Sequence, residues 1–107
     1  MGGRGGGGRG GGGGRRSDYR LKHSIAFLGR LENGIGYYRF AYRGETGVFV
    51  GVMAQEVRSV APTAVLNGRN GYLLVDYDKL CLKFQTYDQW IASGRQIPSG
   101  HCRATAR

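Results

Sequence analysis

Long apolar runs, proline and cysteine are all scarce in this chain of 107 residues. No stretch approaches the ~18 consecutive apolar residues that a transmembrane helix needs. The N-terminus also lacks the short apolar segment that is typical of a signal peptide. We therefore expect a protein that stays in the cytoplasm, or leaves it only inside a larger particle.

The two cysteines, Cys81 and Cys102, are 21 positions apart and belong to no Cys-x-x-Cys pair. No histidine lies at a metal-ligand spacing from them, so we expect neither a metal site nor a cofactor. Cys81 stands in an apolar run, which predicts that it packs as a small hydrophobic residue. Two cysteines alone do not argue for a disulfide.

Acidic residues are also few: 7 Asp and Glu stand against 16 Lys and Arg, so the formal net charge is +9. Such an excess suggests a polyanion, for example a nucleic acid, as a partner. From residue 17 onward, however, the basic residues are interspersed with apolar ones, as on any solvated surface. We therefore favour ordinary surface charge over a nucleic-acid site in that part.

Residues 1–16 consist of 11 Gly, 4 Arg and Met1. Because they have no side chains that could build a core, we predict a disordered Gly/Arg-rich tail. Arg-Gly segments can bind RNA through phosphates and base stacking, and Gly-rich segments also serve as flexible linkers. The linker is favoured because the arginines are sparse and the tail has no aromatic residue.

Leu21, Ile25 and Leu28 are spaced as on one face of a helix. This predicts a short helix over 24–31, which Ser24 could cap. The Glu-Asn-Gly sequence that follows is typical of a turn.

Residues 35–42 and 48–53 are rich in aromatic and β-branched side chains, which predicts two strands joined by a glycine-containing turn. Gly51 within the second strand indicates a close backbone approach or a bulge. A short helix should follow over 54–60, since the next proline ends it. Residues 64–75 have the pattern of a hairpin.

The spacing of Tyr77, Leu80, Phe84, Tyr87 and Ile91 predicts an amphipathic helix from about residue 76 to residue 91. The predicted fold is therefore α+β, a small mixed domain over 17–93. It has short antiparallel strands and hairpins, a short helix after the second strand and a C-terminal amphipathic helix. Residues 94–107 are expected to form a flexible basic tail.

Ser17 and Lys22 place a hydroxyl and an amine five residues apart, where the tail meets the fold. A serine hydroxyl becomes a nucleophile when a base takes its proton. A lysine can act as that base if burial or nearby positive charge lowers its pKa. The pair is a weak pattern by itself, and a capping role for Ser17 is the alternative.

Four sequence blocks, in order and at matching spacing, resemble the endosialidase-type intramolecular chaperone domain over residues 17–91. They are SDYRLKHSIAFLGRL, YYRFAYR, VFVGVMAQEV and GYLLVDYDKL. That domain lies at the C-terminus of phage tail spikes and tail fibres and occurs in some other trimeric proteins. The resemblance implies a homotrimer that assists folding of a covalently linked N-terminal client and then cuts itself off. It also implies a cytoplasmic or virion-associated location.

By this resemblance, Ser17 is the nucleophile and Lys22 its base. The cleavage junction is Arg16, Ser17 and Asp18, and either bond beside Ser17 could break. Gln55 is a candidate donor to the oxyanion, with organisation of its loop as the alternative, and Glu56 is expected in a structural ion pair. After Lys22 the family usually has an acidic residue and Asn. This chain has His23, which could act as a second base, and then Ser24.

Three functions are compatible with these observations. The favoured one is a self-cleaving serine peptidase that acts as a trimerisation chaperone. An inactive trimerisation or binding module is the second, because residues beside the dyad are altered and no client is visible in this chain. RNA binding by the Gly-Arg tail is the third.

Overall fold

Two antiparallel sheets and two short α-helices make up the described part of the chain, residues 14–102 of the computed structural model. One sheet has the strand order β1-β6-β5 and the other β2-β3-β4-β7. This mixed architecture confirms the α+β class. The elements are β1 (Arg15–Arg16), β2 (Lys22–Arg30), β3 (Gly36–Tyr42), β4 (Phe49–Gly51), α1 (Ala54–Val60), β5 (Val65–Asn67), β6 (Leu73–Val75), β7 (Gln85–Thr86) and α2 (Tyr87–Ala92).

The helix predicted over 24–31 is wrong, because this segment is most of strand β2. It pairs antiparallel with β3, for example Phe27 opposite Tyr38. Strand β3 is largely buried, and the tight turn at Gly34, whose φ is +93°, returns the chain directly alongside it. Pairing with β3 gives the backbone of β2 its hydrogen bonds, so tertiary context outweighs the helical spacing of the leucines.

The middle of the chain follows the predictions closely. Strands β3 and β4, helix α1 and the β5-β6 hairpin lie within the predicted segments. Gly51 ends β4 at a close approach, since a Cβ atom there would overlap the hydroxyl of Tyr77. The sequence-based expectation of a close contact at Gly51 is therefore confirmed, although the neighbour is a side chain.

The prediction of a single helix over residues 76–91 is wrong. A 3-10 helix spans Tyr77–Leu80, and it ends at Cys81, which has left-handed backbone geometry with φ of +51°. The chain then adds strand β7 to β4 before a capping box at Thr86 starts α2. The heptad spacing is divided between separate elements because the first of them is anchored in the core by Tyr77 and Leu80.

Residues on both sides of the predicted domain contact it. Arg15 and Arg16 form β1 against β6, so a strand lies directly before Ser17. At the other end, the indole N–H of Trp90 donates to the Gln96 carbonyl, and Glu32 N–H donates to the Ser99 carbonyl. Gln96 and Ser99 thus contact the domain, and the flexible tail expected over 94–107 stays a prediction. Residues 1–13 and 103–107 lie outside the described residues.

Cys81 and Cys102 form a disulfide, with 5.1 Å between their Cα atoms. Cys81 is exposed, so the prediction that it packs as a buried hydrophobic residue is wrong. The bond ties the C-terminal segment to the end of the 3-10 helix. Sequence spacing could not reveal it, because only the fold brings the two residues together.

The core has two parts. The larger cluster gathers residues from both sheets and both helices, among them Tyr37, Val52, Val57 and Trp90. The smaller one, called here the aromatic cluster, consists of Phe40, Tyr42 and Met53, with Leu21, Tyr38, Phe49 and Phe84 packed against it. No helix within residues 14–102 has the length and apolarity required to cross a membrane.

Candidate active site

Ser17 is completely buried directly after strand β1. Its backbone N–H donates to the Leu73 carbonyl at 3.3 Å, and its carbonyl accepts from the Ala54 N–H at 2.8 Å. Strand β6 and the start of α1 therefore hold the backbone on both sides of the residue. Within residues 14–102, Ser17 Oγ is the buried side-chain polar atom that lacks a hydrogen bond of standard geometry. Its polar neighbour is the Tyr77 hydroxyl, whose pKa burial raises while Ser17 acts in the opposite direction.

A buried hydroxyl in this state is unfavourable for stability, because it gives up its hydrogen bonds with water and gains none of standard geometry. A capping role for Ser17 would use the hydroxyl as an acceptor, which the structure does not show. The hydroxyl is instead available for chemistry.

Lys22 is the first residue of β2, and its side chain is 1% exposed. Its Nζ donates to the Val52 carbonyl at 2.8 Å and lies 3.8 Å from the centre of the Phe40 ring. Burial lowers the pKa of Lys22 to about 7, while the negative charge of Asp18 acts in the opposite direction. A lysine with such a pKa is partly neutral near pH 7 and can accept a proton.

Ser17 and Lys22 are held by the same segment, Val52–Ala54, which links β4 to α1. Ser17 contacts it through Ala54 and Lys22 through Val52. The hydroxyl of Tyr77 accepts a hydrogen bond from the Val52 N–H at 3.1 Å. Both predicted dyad residues are buried and contact this segment, and the Lys22 Nζ hydrogen bond is directed to the Val52 carbonyl.

Asp18 fixes the turn between the two residues. Its carboxylate is fully buried and accepts hydrogen bonds from the backbone and guanidinium N–H groups of Arg20 and from the Leu73 N–H. These bonds cap the short 3-10 helix at Tyr19–Leu21. The Arg20 guanidinium holds the pKa of Asp18 well below its usual range. Asp18 is therefore a charged structural anchor at neutral pH.

The Arg16 carbonyl, which precedes Ser17, accepts a hydrogen bond from the Tyr42 hydroxyl at 2.7 Å. The Arg16 side chain lies over the ring of the same tyrosine, 4.6 Å from its centre, and pairs with Glu45 at 2.7 Å. The carbonyl oxygen and the nitrogen of the Arg16–Ser17 peptide bond are thus both held, the first by Tyr42 and the second by Leu73.

The two supporting candidates, Gln55 and His23, make contacts other than the hydrogen bond at the Arg16 carbonyl, whose donor is Tyr42. The Gln55 side chain accepts from the Tyr19 N–H at 3.1 Å, a contact that favours organisation of the loop. His23 is exposed, and its Nδ1 contacts Ser24 Oγ at 3.0 Å. It follows the buried Lys22 on the strand, so its side chain projects to the other face.

Glu56 has a structural role, as expected, but through hydrogen bonds. Its carboxylate accepts from the Gly36 N–H at 2.9 Å and from the Tyr38 hydroxyl. The expected ion pair is replaced by these two neutral donors, which attach α1 to the start of β3.

Tyr42 and Tyr77 are the site residues that the sequence interpretation missed. The sequence pattern predicts only a strand position for Tyr42 and a position on the apolar face of an amphipathic helix for Tyr77. The signal for Tyr42 is weak: it is one of several aromatic residues that alternate along β3 on a buried face. Its position against Arg16 depends on β1, which was not predicted.

A model of the family described as chaperone of endosialidase matches residues 17–66. No curated protein and no solved structure matches the chain. The matched segment begins at Ser17 and includes Lys22 and Tyr42. It ends within β5, so the block at 71–80 lies beyond it. Residues 17–66 therefore match the chaperone-of-endosialidase family, which supports an intramolecular chaperone domain that begins at Ser17.

Proposed function

We propose that this chaperone domain is also a self-cleaving serine peptidase, in which Ser17 is the nucleophile and Lys22 the base. The observation that carries the proposal is the burial of two side chains, the Ser17 hydroxyl and the Lys22 amine, which contact the same segment, Val52–Ala54. Ser17 Oγ lacks a hydrogen bond of standard geometry, and Lys22 is a buried amine whose pKa is lowered to about 7. A hydroxyl and a near-neutral amine are the two groups that a Ser-Lys mechanism requires.

The reaction begins when Ser17 Oγ attacks the Arg16 carbonyl carbon and Lys22 Nζ takes the hydroxyl proton. The resulting tetrahedral intermediate carries an oxyanion. It collapses when the C–N bond breaks and the nitrogen receives a proton from Lys22, which leaves an ester between Arg16 and the Ser17 side chain. Water then hydrolyses the ester, giving an Arg16 carboxylate and a free Ser17 amine and hydroxyl.

The Arg16–Ser17 bond is favoured over the Ser17–Asp18 bond on grounds of ring size. Attack on the preceding carbonyl passes through a five-membered ring, whereas attack of Ser17 on its own carbonyl would need a strained four-membered ring.

The chaperone activity is proposed to include trimerisation, with an N-terminal segment as the client. Strand β2 lies at the edge of its sheet, and Ile25 and Phe27 on it are 41% and 55% exposed. An edge strand with exposed apolar side chains is suited to association with another copy. Self-association through this strand would leave the buried dyad within each subunit.

Intact mass of the full chain tests the cleavage. Wild-type protein made by cell-free translation should lose the mass of residues 1–16 over time. Ser17→Ala and Lys22→Met should remain at full mass, while the exposed control Ser59→Ala should be cleaved like wild type. A wild-type chain that stays intact after folding would leave an inactive chaperone module and overturn the peptidase proposal.

Sedimentation of the Ser17→Ala protein tests the trimer separately from cleavage. A trimer that becomes a monomer in the Ile25→Ser, Phe27→Ser double variant would support association through β2. Val60→Ser is the matched control, since Val60 is equally exposed but lies on α1. A monomeric Ser17→Ala protein at high concentration would argue against trimerisation by this domain alone.

A further inference from the structure

The hydrogen bond between Tyr42 and Arg16 connects the aromatic cluster to the carbonyl that Ser17 would attack. Its O···O distance of 2.7 Å is the usual length for a hydroxyl donor. Tyr42 is 4% exposed, so its hydroxyl is largely shielded from solvent, and the hydrogen bond is partly buried at the edge of a surface pocket. Preorganised donors in such surroundings stabilise negative charge more strongly than they do in water.

We propose that Tyr42 is a catalytic residue of the self-cleavage reaction, with its hydroxyl as the donor that stabilises the oxyanion formed on the Arg16 carbonyl. This inference rests on the proposed attack of Ser17 at the Arg16–Ser17 bond. In the intact chain the hydrogen bond polarises the carbonyl. In the tetrahedral intermediate the same O–H faces a full negative charge, so the bond strengthens as the reaction proceeds.

The phenol remains a donor over the pH range in which Lys22 becomes a base. Burial raises the pKa of Tyr42 to about 12, with Arg16 and Arg15 acting against this rise and Glu45 adding to it. The pKa of Lys22 is about 7. Tyr42 is therefore protonated under conditions in which the Lys22 amine is already neutral.

The surroundings of Tyr42 keep its hydroxyl in place. Its ring packs edge to face on Phe40, at 5.3 Å between centroids, and at 5.5 Å from Phe49. The Arg16 guanidinium lies over the ring, 4.6 Å from its centre. Because the ring is fixed by these contacts, removal of the hydroxyl alone should leave the fold and the position of Arg16 largely unchanged.

A surface pocket lies beside this hydrogen bond and gives water a route to the ester. Its lining includes Arg15, Arg16, Tyr42 and Glu45. The hydrolysis step needs water at the Arg16 carbonyl carbon, and Ser17 itself is fully buried. The same Tyr42 hydroxyl can donate to the oxyanion of this second step, since it forms on the same oxygen.

Cleavage rates of the full-length chain in cell-free translation test the role of Tyr42. Tyr42→Phe should cleave about 10²–10³-fold more slowly than wild type, the range found when one oxyanion donor is removed. The control is Tyr19→Phe, which removes an exposed hydroxyl near the site and should cleave at the wild-type rate. Thermal unfolding of Tyr42→Phe in the Ser17→Ala background checks that the fold is kept.

The outcomes separate this inference from the proposed function. If wild type is cleaved, Ser17→Ala is not, and Tyr42→Phe keeps the wild-type rate, the role of Tyr42 is wrong and the peptidase stands. A product mass that shows cleavage after Ser17 would also mean that the role of Tyr42 is wrong, while Ser17-dependent cleavage stands. If wild type is not cleaved at all, both ideas fail. If Tyr42→Phe is unfolded, 3-fluorotyrosine at position 42 replaces it in the test, because this residue keeps the O–H group. The inference then requires that the 3-fluorotyrosine protein retains most of the wild-type cleavage rate.

Discussion

The side-chain nitrogen of Lys22 lies 3.8 Å from the centre of the Phe40 ring. An ammonium group in that position is favoured by the ring quadrupole, whereas burial disfavours the charged amine and lowers the pKa of Lys22 to about 7. The lysine is thus poised between its two protonation states near neutral pH. Two predictions follow from this balance, one for the reaction and one for stability.

The first prediction is that the cleavage rate rises with pH through pH 7. Only the neutral amine can take the Ser17 proton, so below the pKa the rate should increase about tenfold per pH unit. It should reach a plateau above pH 8, because Tyr42, with a pKa of about 12, stays protonated. Cleavage rates of the wild-type chain between pH 5 and pH 9 measure this. A flat profile would show that Lys22 is not the titrating base.

The second prediction concerns the stability of Lys22→Met in the Ser17→Ala background. In the reference Ser17→Ala protein, the unfolded Lys22 binds a proton between about pH 7 and pH 10.5 that the folded one does not. The contribution of Lys22 to stability therefore rises with pH across that window and is lowest below pH 7. Replacement by Met removes the cost of the buried charge. At pH 6 it should raise the free energy of unfolding by roughly 2–4 kcal/mol.

Urea unfolding of both proteins at pH 6 and pH 9 tests this, since the advantage of Lys22→Met should shrink at the higher pH. Lys83→Met is the control, because Lys83 is exposed and should give no pH-dependent difference. An advantage that is equal at both pH values would mean that Lys22 has an ordinary pKa in the folded protein.

The sequence identified the proposed dyad but not its surroundings. Ser17, Asp18 and Lys22 lie close together in the chain, so their motif is visible without the fold. Tyr42 and Val52 join them only through pairing of β3 with β2 and through the turn that leads into α1. Likewise, α1 could be predicted from its local spacing. The break at Cys81 could not, because it depends on anchoring of Tyr77 and Leu80 in the core.

The third prediction is that Asp18→Asn destabilises the domain by about 1–3 kcal/mol, because it weakens the bonds to Arg20 and to the buried Leu73 N–H. The Asp18 pKa is lowered in the folded state, so its contribution is present above about pH 4 and is lost as the pH falls toward the folded pKa. Urea unfolding at pH 7 and pH 3 measures this. The variant should lose less stability than wild type between the two values, whereas the exposed control Asp88→Asn should behave like wild type.

The fourth prediction is that Cys102→Ser lowers the free energy of unfolding by about 3 kcal/mol, since the disulfide closes a loop between positions 21 residues apart. The expected loss is measured by denaturant unfolding under oxidising conditions. A reducing agent should bring wild type to the stability of the variant and should leave the variant unchanged. Equal stability of the two proteins without reductant would contradict the bond between Cys81 and Cys102.

The last prediction concerns Ser24, which has a φ of +54° at an irregularity in the pairing of β2 with β3. Left-handed backbone is unfavourable for serine and better tolerated by asparagine. Ser24→Asn should therefore stabilise the domain by roughly 0.5–1 kcal/mol. The cleavage rate should not change, because Ser24 is exposed and lies outside the site.

Thermal unfolding of Ser24→Asn and Ser24→Val, both in the Ser17→Ala background, checks the prediction. Valine is β-branched and poorly suited to a positive φ, so it should destabilise the domain where asparagine stabilises it. Ser59→Asn, on the exposed side of α1, has helical backbone and should give no gain. If valine and asparagine at position 24 have the same effect, the backbone at that position is not left-handed in solution.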